Sequence, residues 1–470
     1  MRLSGPLASF AVYGVAIVLM KGFSLISIPL VASRLQPSQF GELDLAVSVV
    51  EFAALFCALG LTEIVYRFCA GQGVDDRSNL AALAGVAAIA VAVLVFLLQL
   101  LAGPLHEFAG LGVSQGAFRL SLLAASLTAL VETPLAWLRL RDRPLVFLGF
   151  IVARSATQIA LMWIALGAGH GPSGVLVANA SVDIVLAVTL GAMFVRDSRM
   201  RLDVAMARRL AVYGLPIVLS GLSMFALGAA DRWFIAGHVS RADMAQYAIA
   251  AKLALATALV VQPFGLWWYP RRLALLAQPG GIEANRTAWL AGFAILSGGA
   301  VAVHLAMPLF VELALPPAYA TALAWLPWLI FAIALNELVS LSNAGAYLGG
   351  STFRVLGVNG IAAAIAIGLY ALLIPAHGLA GAIAATLAAH LFRLFAFAWI
   401  SRHVAPTPLV TASTVLILAG ALTPALVLPA NAGLPLVLAA AVDAPLLAAA
   451  GFLAARPHLI ATVRGHAVAA

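Results

Sequence analysis

The chain has 470 residues, 64% of them hydrophobic and 9% charged, with a mean hydropathy of +1.06. Soluble domains carry about 45–50% apolar and about 25% charged residues, so a soluble fold is excluded and a polytopic membrane protein is indicated. The formal net charge of +8 is explained by membrane topology rather than nucleic-acid binding, and the two cysteines, Cys57 and Cys69, form neither a disulfide framework nor a metal pattern.

The first apolar run, Ser9 to Val31, can cross a hydrocarbon core of about 30 Å. It is too long for a cleavable signal peptide, carries Lys21 near its middle, and reads as a signal anchor. Similar runs follow with short breaks. About fourteen spans of roughly 20 residues result, at 9–31, 43–66, 80–102, 117–138, 145–167, 173–195, 210–236, 245–269, 288–312, 320–348, 355–375, 378–400, 408–428 and 434–455. Their continuous hydrophobicity, without two-residue alternation, predicts helices rather than a barrel.

Alternating the loops between the two membrane faces tests this division. Eighteen of the 26 basic residues fall on the side of the N-terminus and four (Arg34, Arg119, Arg232 and Arg241) on the other. The remaining four, Lys21, Arg154, Lys252 and Arg393, lie inside spans. Positive charge gathers on cytoplasmic loops, so both termini are expected in the cytoplasm. Loops on the opposite side are short, as at 167–174, 375–378 and 429–433.

The polar linker Arg196 to Arg209 separates comparable halves, and Tyr13-Gly14 in span one recurs as Tyr213-Gly214 in span seven. Two six-helix lobes, 1–200 and 201–403, related as parallel repeats, are expected, with two further helices and a short tail in 404–470. Such repeats are one plan of secondary transporters.

Ionisable residues inside spans are costly, about 2.5–3.5 kcal/mol each at a helix centre on insertion scales, and therefore informative. Lys21 and Lys252 are the chain's two lysines. Arg154 lies about 13 Å and Lys252 about 10 Å into their spans, at about 1.5 Å per residue. The intramembrane acids are Glu51, Glu132, Asp183 and Glu337, and Asn179 shares a helix face with Asp183. Two roles are open for these charges. They can neutralise one another in packing pairs, or the cations can attract a phosphate headgroup while acids carry a coupling proton or ion. Arg393 is near enough to its span's inner end to snorkel. Trp267-Trp268-Tyr269 followed by Arg271-Arg272 reads as an interfacial belt. No nucleotide-binding loop or hydrolase signature occurs in the sequence, so direct use of ATP is not expected.

Three stretches carry a family resemblance. They are the segment from Lys21 to Arg67, with IPLVASRLQPSQFGELDLAVSVVEF; residues 213–254, with Asp231-Arg232 closing span seven and Lys252 opening span eight; and residues 358–395, with IPAHGLAGA. The sequence resembles the polysaccharide-transport (O-antigen flippase) family of the multidrug/oligosaccharidyl-lipid/polysaccharide exporter superfamily. That resemblance implies an all-α V-shaped pair of lobes with a cationic cavity. It also implies alternating access that carries a polyprenyl-pyrophosphate-linked oligosaccharide to the external leaflet for surface polysaccharide biosynthesis. It assigns Lys21, Arg154, Lys252 and Arg232 to substrate binding. Glu51, Glu132, Asp183 and Asp231 are the candidates for proton or sodium coupling. No cofactor or metal is expected. The implied setting is the bacterial inner membrane, with a polysaccharide polymerase and glycosyltransferases as partners and no nucleic acid. The alternative within the superfamily is a flippase for a lipid-linked peptidoglycan precursor, or a multidrug or cation antiporter. An enzyme acting on the same lipid carrier would need acid/base or metal groups on sizeable loops, for which the short external loops leave no room.

Overall fold

The computed structural model describes residues 6–69, 74–201, 203–348, 353–428 and 433–467. All regular structure among them is helical. Close packing divides the chain into two compact units, Met1–Ala245 and Gln246–Ala470. The seventh span therefore clusters with the first unit, whereas the lobe boundary read from the sequence stood at residue 200.

The first unit opens with α1 (Pro6–Ala32) and α2 (Pro37–Cys57). Pro37 suits the first turn of α2, whose orphan N–H groups need no intrahelical acceptor, and the Gln39 side chain accepts the Gln36 N–H at 3.1 Å. The second span is not one helix. Leu59 and Gly60 both take left-handed backbone, φ 52° and 64°, and α3 (Leu61–Phe68) restarts beyond them. After α4 (Val74–Phe108), the fourth span breaks as well, into α5 (Gln115–Ser126) and α6 (Thr128–Leu140). Ser121 and Ser126 donate their hydroxyls to the carbonyls of Ala117 and Leu122 at 3.0 and 2.7 Å, a back-bonding that bends helices. α7 (Pro144–Gly167) and α8 (Gly171–Ser198) are continuous. The seventh span is again split, into α9 (Val204–Gly228) and α10 (Asp231–His238).

One face of α2 is committed to these last two helices. Asp44 bonds Arg232, the Ser48 hydroxyl accepts from the Trp233 indole at 3.0 Å, and Phe52 packs edge-on against Trp233 at 4.9 Å. These positions are separated by one helical turn each, so they form one stripe.

The second unit contains α11 (Arg241–Ala254), whose first turns belong to the first unit, α12 (Ala256–Leu276), α13 (Gly281–Ala314) and α14 (Ala322–Ser342). It continues with α15 (Phe353–Ser401), α16 (Ala412–Val427) and α17 (Leu434–Ala467). α15 is two spans joined without a loop: Gly378, at φ 54° and ψ −130°, reverses the chain between them. With each broken pair counted as one span, these helices accommodate the fourteen-span reading. Eleven stretches meet length and hydropathy limits for crossing a membrane among the described residues.

α16 and α17 pack on α13 through small residues, Ala421, Ala444 and Ala448 among them. A Cβ at Gly298 of α13 would come to 2.5 Å from the Pro445 Cα. Gly298→Leu is therefore expected to cost about 1–3 kcal/mol through overpacking and to lower the thermal unfolding midpoint of the detergent-solubilised protein. An unchanged midpoint would mean that α17 does not seat there.

Candidate functional site

The first unit encloses a cavity of about 500 Å³ bounded by α1, α2, α5, α7 and α8, with Thr128 of α6 at the broken fourth span. Its polar lining includes Glu51, Arg154, Gln158, Asn179 and Asp183. Three helices converge here because each presents its polar residues on a single face. Arg154 and Gln158 are one turn apart on α7, Asn179 and Asp183 one turn apart on α8, and Glu51 projects from the α2 stretch that also carries Ser48.

Arg154 donates through Nε to Asp183 Oδ1 at 2.8 Å, and the Gln158 amide donates to the same oxygen at 3.2 Å. The two side chains of the ion pair are 29% and 26% exposed, so the pair stands at a wall of the cavity rather than in a dry seam. This position matters chemically. A guanidinium held by one carboxylate oxygen keeps further N–H donors for a second oxyanion, because its five donors form a planar fork.

The other expected site residues lie elsewhere. Lys21 belongs to α1, but its side chain lies outside the described residues. Glu132 lines a separate space of about 460 Å³ with Glu63 and Arg139. Arg232 donates through Nε to Asp44 at 2.7 Å and through Nη1 to Asp231 at 3.2 Å and to the Gly228 carbonyl at 3.1 Å. It thus satisfies a carbonyl released by the break in the seventh span while pinning α10 to α2. Lys252 is half-buried on α11 in the second unit.

Asp44 was not singled out by sequence reading. It is 4% exposed, and its signal is a spacing of one turn to Ser48 and two turns to Glu51. Arg393 is likewise no snorkelling residue. It is 4% exposed and donates to Asn359 at 3.0 Å, Asn336 at 2.8 Å and His390 Nδ1 at 3.1 Å. A guanidinium cannot accept, so His390 receives that bond on Nδ1 and carries its own proton on Nε2.

The polysaccharide biosynthesis protein family matches residues 7–272, more than half of the chain. The chain belongs to that family. Its fold is also that of solved exporters. A lipid II flippase MurJ in an inward closed conformation superposes with a TM-score of 0.73 over 95% of this chain and 99% of its own, at 9% identity. An inward-facing multidrug resistance MATE family transporter of the MOP superfamily gives 0.62 over 82% and 94%, at 16% identity. The MATE multidrug transporter DinF-BH gives 0.59 over 86% and 98%, at 13% identity. None of the curated proteins matches in sequence. The protein is a multi-pass membrane protein of the polysaccharide biosynthesis family, with the fold of solved flippases and transporters.

The two ion clusters of the first unit differ in their access to water, and this predicts unequal costs. Removing one partner of a buried pair strands a charge, at about 3–5 kcal/mol, whereas water in a cavity reduces that penalty. Asp44→Ala should destabilise the solubilised protein by about 3 kcal/mol and Asp183→Ala by clearly less, as read from unfolding midpoints. The reverse order would contradict this division between a structural cluster and an accessible one.

Proposed function

We propose that the protein moves a polyprenyl-pyrophosphate-linked oligosaccharide from the cytoplasmic to the external leaflet by alternating access, for surface polysaccharide biosynthesis. The observation that carries the proposal is the Arg154–Asp183 pair at an open cavity inside the bundle, in a chain of the polysaccharide biosynthesis family. A diphosphate headgroup needs a wet cationic path while its hydrocarbon tail stays in lipid. In this reading Arg154 and Lys21 supply that charge, and Lys252 is a further candidate for substrate binding. The protein acts as a transporter rather than an enzyme in a bacterial inner membrane, and the alternation in arginine content supports both termini being cytoplasmic.

The pair also supplies a route to coupling. An incoming phosphate oxygen competes with Asp183 for the Arg154 guanidinium. Once displaced, the carboxylate has lost its cation partner and is left facing the cavity. Headgroup binding and coupling would then meet at one site, with Glu51 of the same cavity lining as a second acid. Arg232 is assigned a positioning part, since Asp44 and Asp231 already hold its guanidinium, and Asp231 acts there as its partner. Glu132, in its separate space, is left with the weakest case for coupling.

The cargo assignment favours an oligosaccharide lipid over a cationic drug, because a drug site would place acids and aromatics where Arg154 stands. A lipid-linked peptidoglycan precursor shares the diphosphate chemistry and is separated by experiment. Arg154→Ala, with expression and membrane insertion intact, is expected to abolish complementation of a surface-polysaccharide export defect. Wild-type complementation would defeat the reading, and rescue of peptidoglycan precursor export instead would reassign the cargo.

Asp183→Asn tests coupling separately. It keeps the amide in place of the carboxylate but removes the proton site. Translocation in vesicles should fall at least about tenfold, a shift of about 1.4 kcal/mol, and should become insensitive to an uncoupler that slows the wild type. An equal response to the uncoupler in both proteins would remove Asp183 from coupling.

A further inference from the structure

A second cation cluster lies in the first unit, away from the Arg154 cavity. Arg67 at the end of α3, together with Arg208 and Arg209 in the second turn of α9, lines an open pocket of about 780 Å³. Phe68, Val204, Val212 and Tyr213 complete its walls. The Arg67 guanidinium lies over the Tyr213 ring, 5.6 Å from its centroid, which orients it without neutralising it. All three arginines are exposed, and among the described residues none is ion-paired with a carboxylate. The nearby Asp203 side chain accepts the Met206 N–H at 3.2 Å, within the first turn of α9.

Three guanidiniums around one pocket, none of them ion-paired among the described residues, repel one another, and an anion would relieve that repulsion. What distinguishes the pocket from an ordinary basic surface is the helix that runs out of it. Val204, Arg208, Val212, Leu215 and Leu219 follow at intervals of three or four residues, so they form a single stripe on α9. Its apolar members are 88%, 71%, 60% and 43% exposed in chain order. Charge sits at the mouth of the seventh span, and accessible hydrocarbon surface continues from it along the span. All three arginine positions lie on the arginine-rich face of the membrane.

We propose that this pocket is a binding site for a lipid-borne phosphate. The headgroup is held by Arg67, Arg208 and Arg209, and the chain is laid along Val212, Leu215 and Leu219. Phosphate supplies oxygens for more than one guanidinium fork, and the adjoining stripe favours a phosphate that carries a hydrocarbon tail over a free one. This site is separate from the cavity assigned to transport and does not depend on what the cargo is. In the intact membrane it would hold a phosphate-bearing lipid of that leaflet beside the first unit.

The test uses the full-length protein in detergent with a benzophenone-bearing farnesyl diphosphate analogue as photoprobe, and cross-linked peptides are mapped by mass spectrometry. Cross-links are expected in the segments containing residues 67–68 and 204–219. They should fall at least tenfold in Arg208→Glu/Arg209→Glu, whose exposed positions leave folding intact, as the unfolding midpoint will verify, and to a similar extent in Arg67→Ala. Farnesyl diphosphate should compete, while inorganic pyrophosphate and farnesol at the same concentration should compete at least tenfold less well. Competition by phosphatidylglycerol as strong as by farnesyl diphosphate would identify the ligand as bulk anionic lipid, and weaker competition would identify it as an isoprenoid phosphate. Either result supports the site. Unchanged labelling in the Arg208→Glu/Arg209→Glu protein, or pyrophosphate competing as well as farnesyl diphosphate, would overturn it. Because labelling is read without transport, the transport reading stands or falls separately.

Discussion

A guanidinium inside a bilayer must find oxygen or nitrogen acceptors, since hydrocarbon supplies none and the cost of leaving it bare is a few kcal/mol at least. Three arginines of the helices, Arg154, Arg232 and Arg393, meet this requirement in different ways. Arg154 takes one carboxylate at the edge of a cavity. Arg232 takes two carboxylates and a backbone carbonyl at a helix break. Arg393 takes two amide oxygens and an imidazole nitrogen in a buried cage. The same physics yields a water-accessible partner in the first case and buried ones in the others. Accessibility decides which is which: Arg393 is 4% exposed, whereas the Arg154 side chain is 29% exposed.

The breaks in the second, fourth, seventh and eighth spans belong to the same scheme. An unbroken apolar helix satisfies its own backbone and offers a ligand nothing but side chains. At Leu59-Gly60 and Leu127 the chain gives up that self-sufficiency, and Thr128, just past the second of these, lines the Arg154 cavity. At the seventh span the released Gly228 carbonyl is taken up by Arg232, so the cation that closes α10 onto α2 also repairs the break. Discontinuous spans are where transporters build sites near the membrane midplane, and here the breaks in the first unit fall beside its polar residues.

The fold shared with flippases and multidrug transporters does not choose between their cargoes, because one scaffold can host many sites. The cargo reading rests instead on the chemistry of the cavity. A cation and an acid share one hydrogen bond, with a glutamine donating to the same acid oxygen and Glu51 in the same lining. In the proposed function that arrangement meets a phosphate competing for the cation, in a chain of the polysaccharide biosynthesis family.

Much of this was legible in the chain itself. A bilayer forces each span to announce itself through length and hydropathy, and insertion gathers arginine on one face, so span number and the turn at Gly378 could be located without coordinates. The same reasoning isolated Arg154 and Asp183, because a charge in an apolar run stands out. Partnership could not be read in this way. Asp44 and Arg232 are far apart in sequence, and Arg393 looked able to reach an interface until its helix was packed against Asn336 and Asn359. Hydropathy is a property of each segment alone, whereas a hydrogen bond between two spans depends on how far each helix is rotated about its axis. That rotation is set by small residues and breaks throughout the bundle, and only the folded chain decides it.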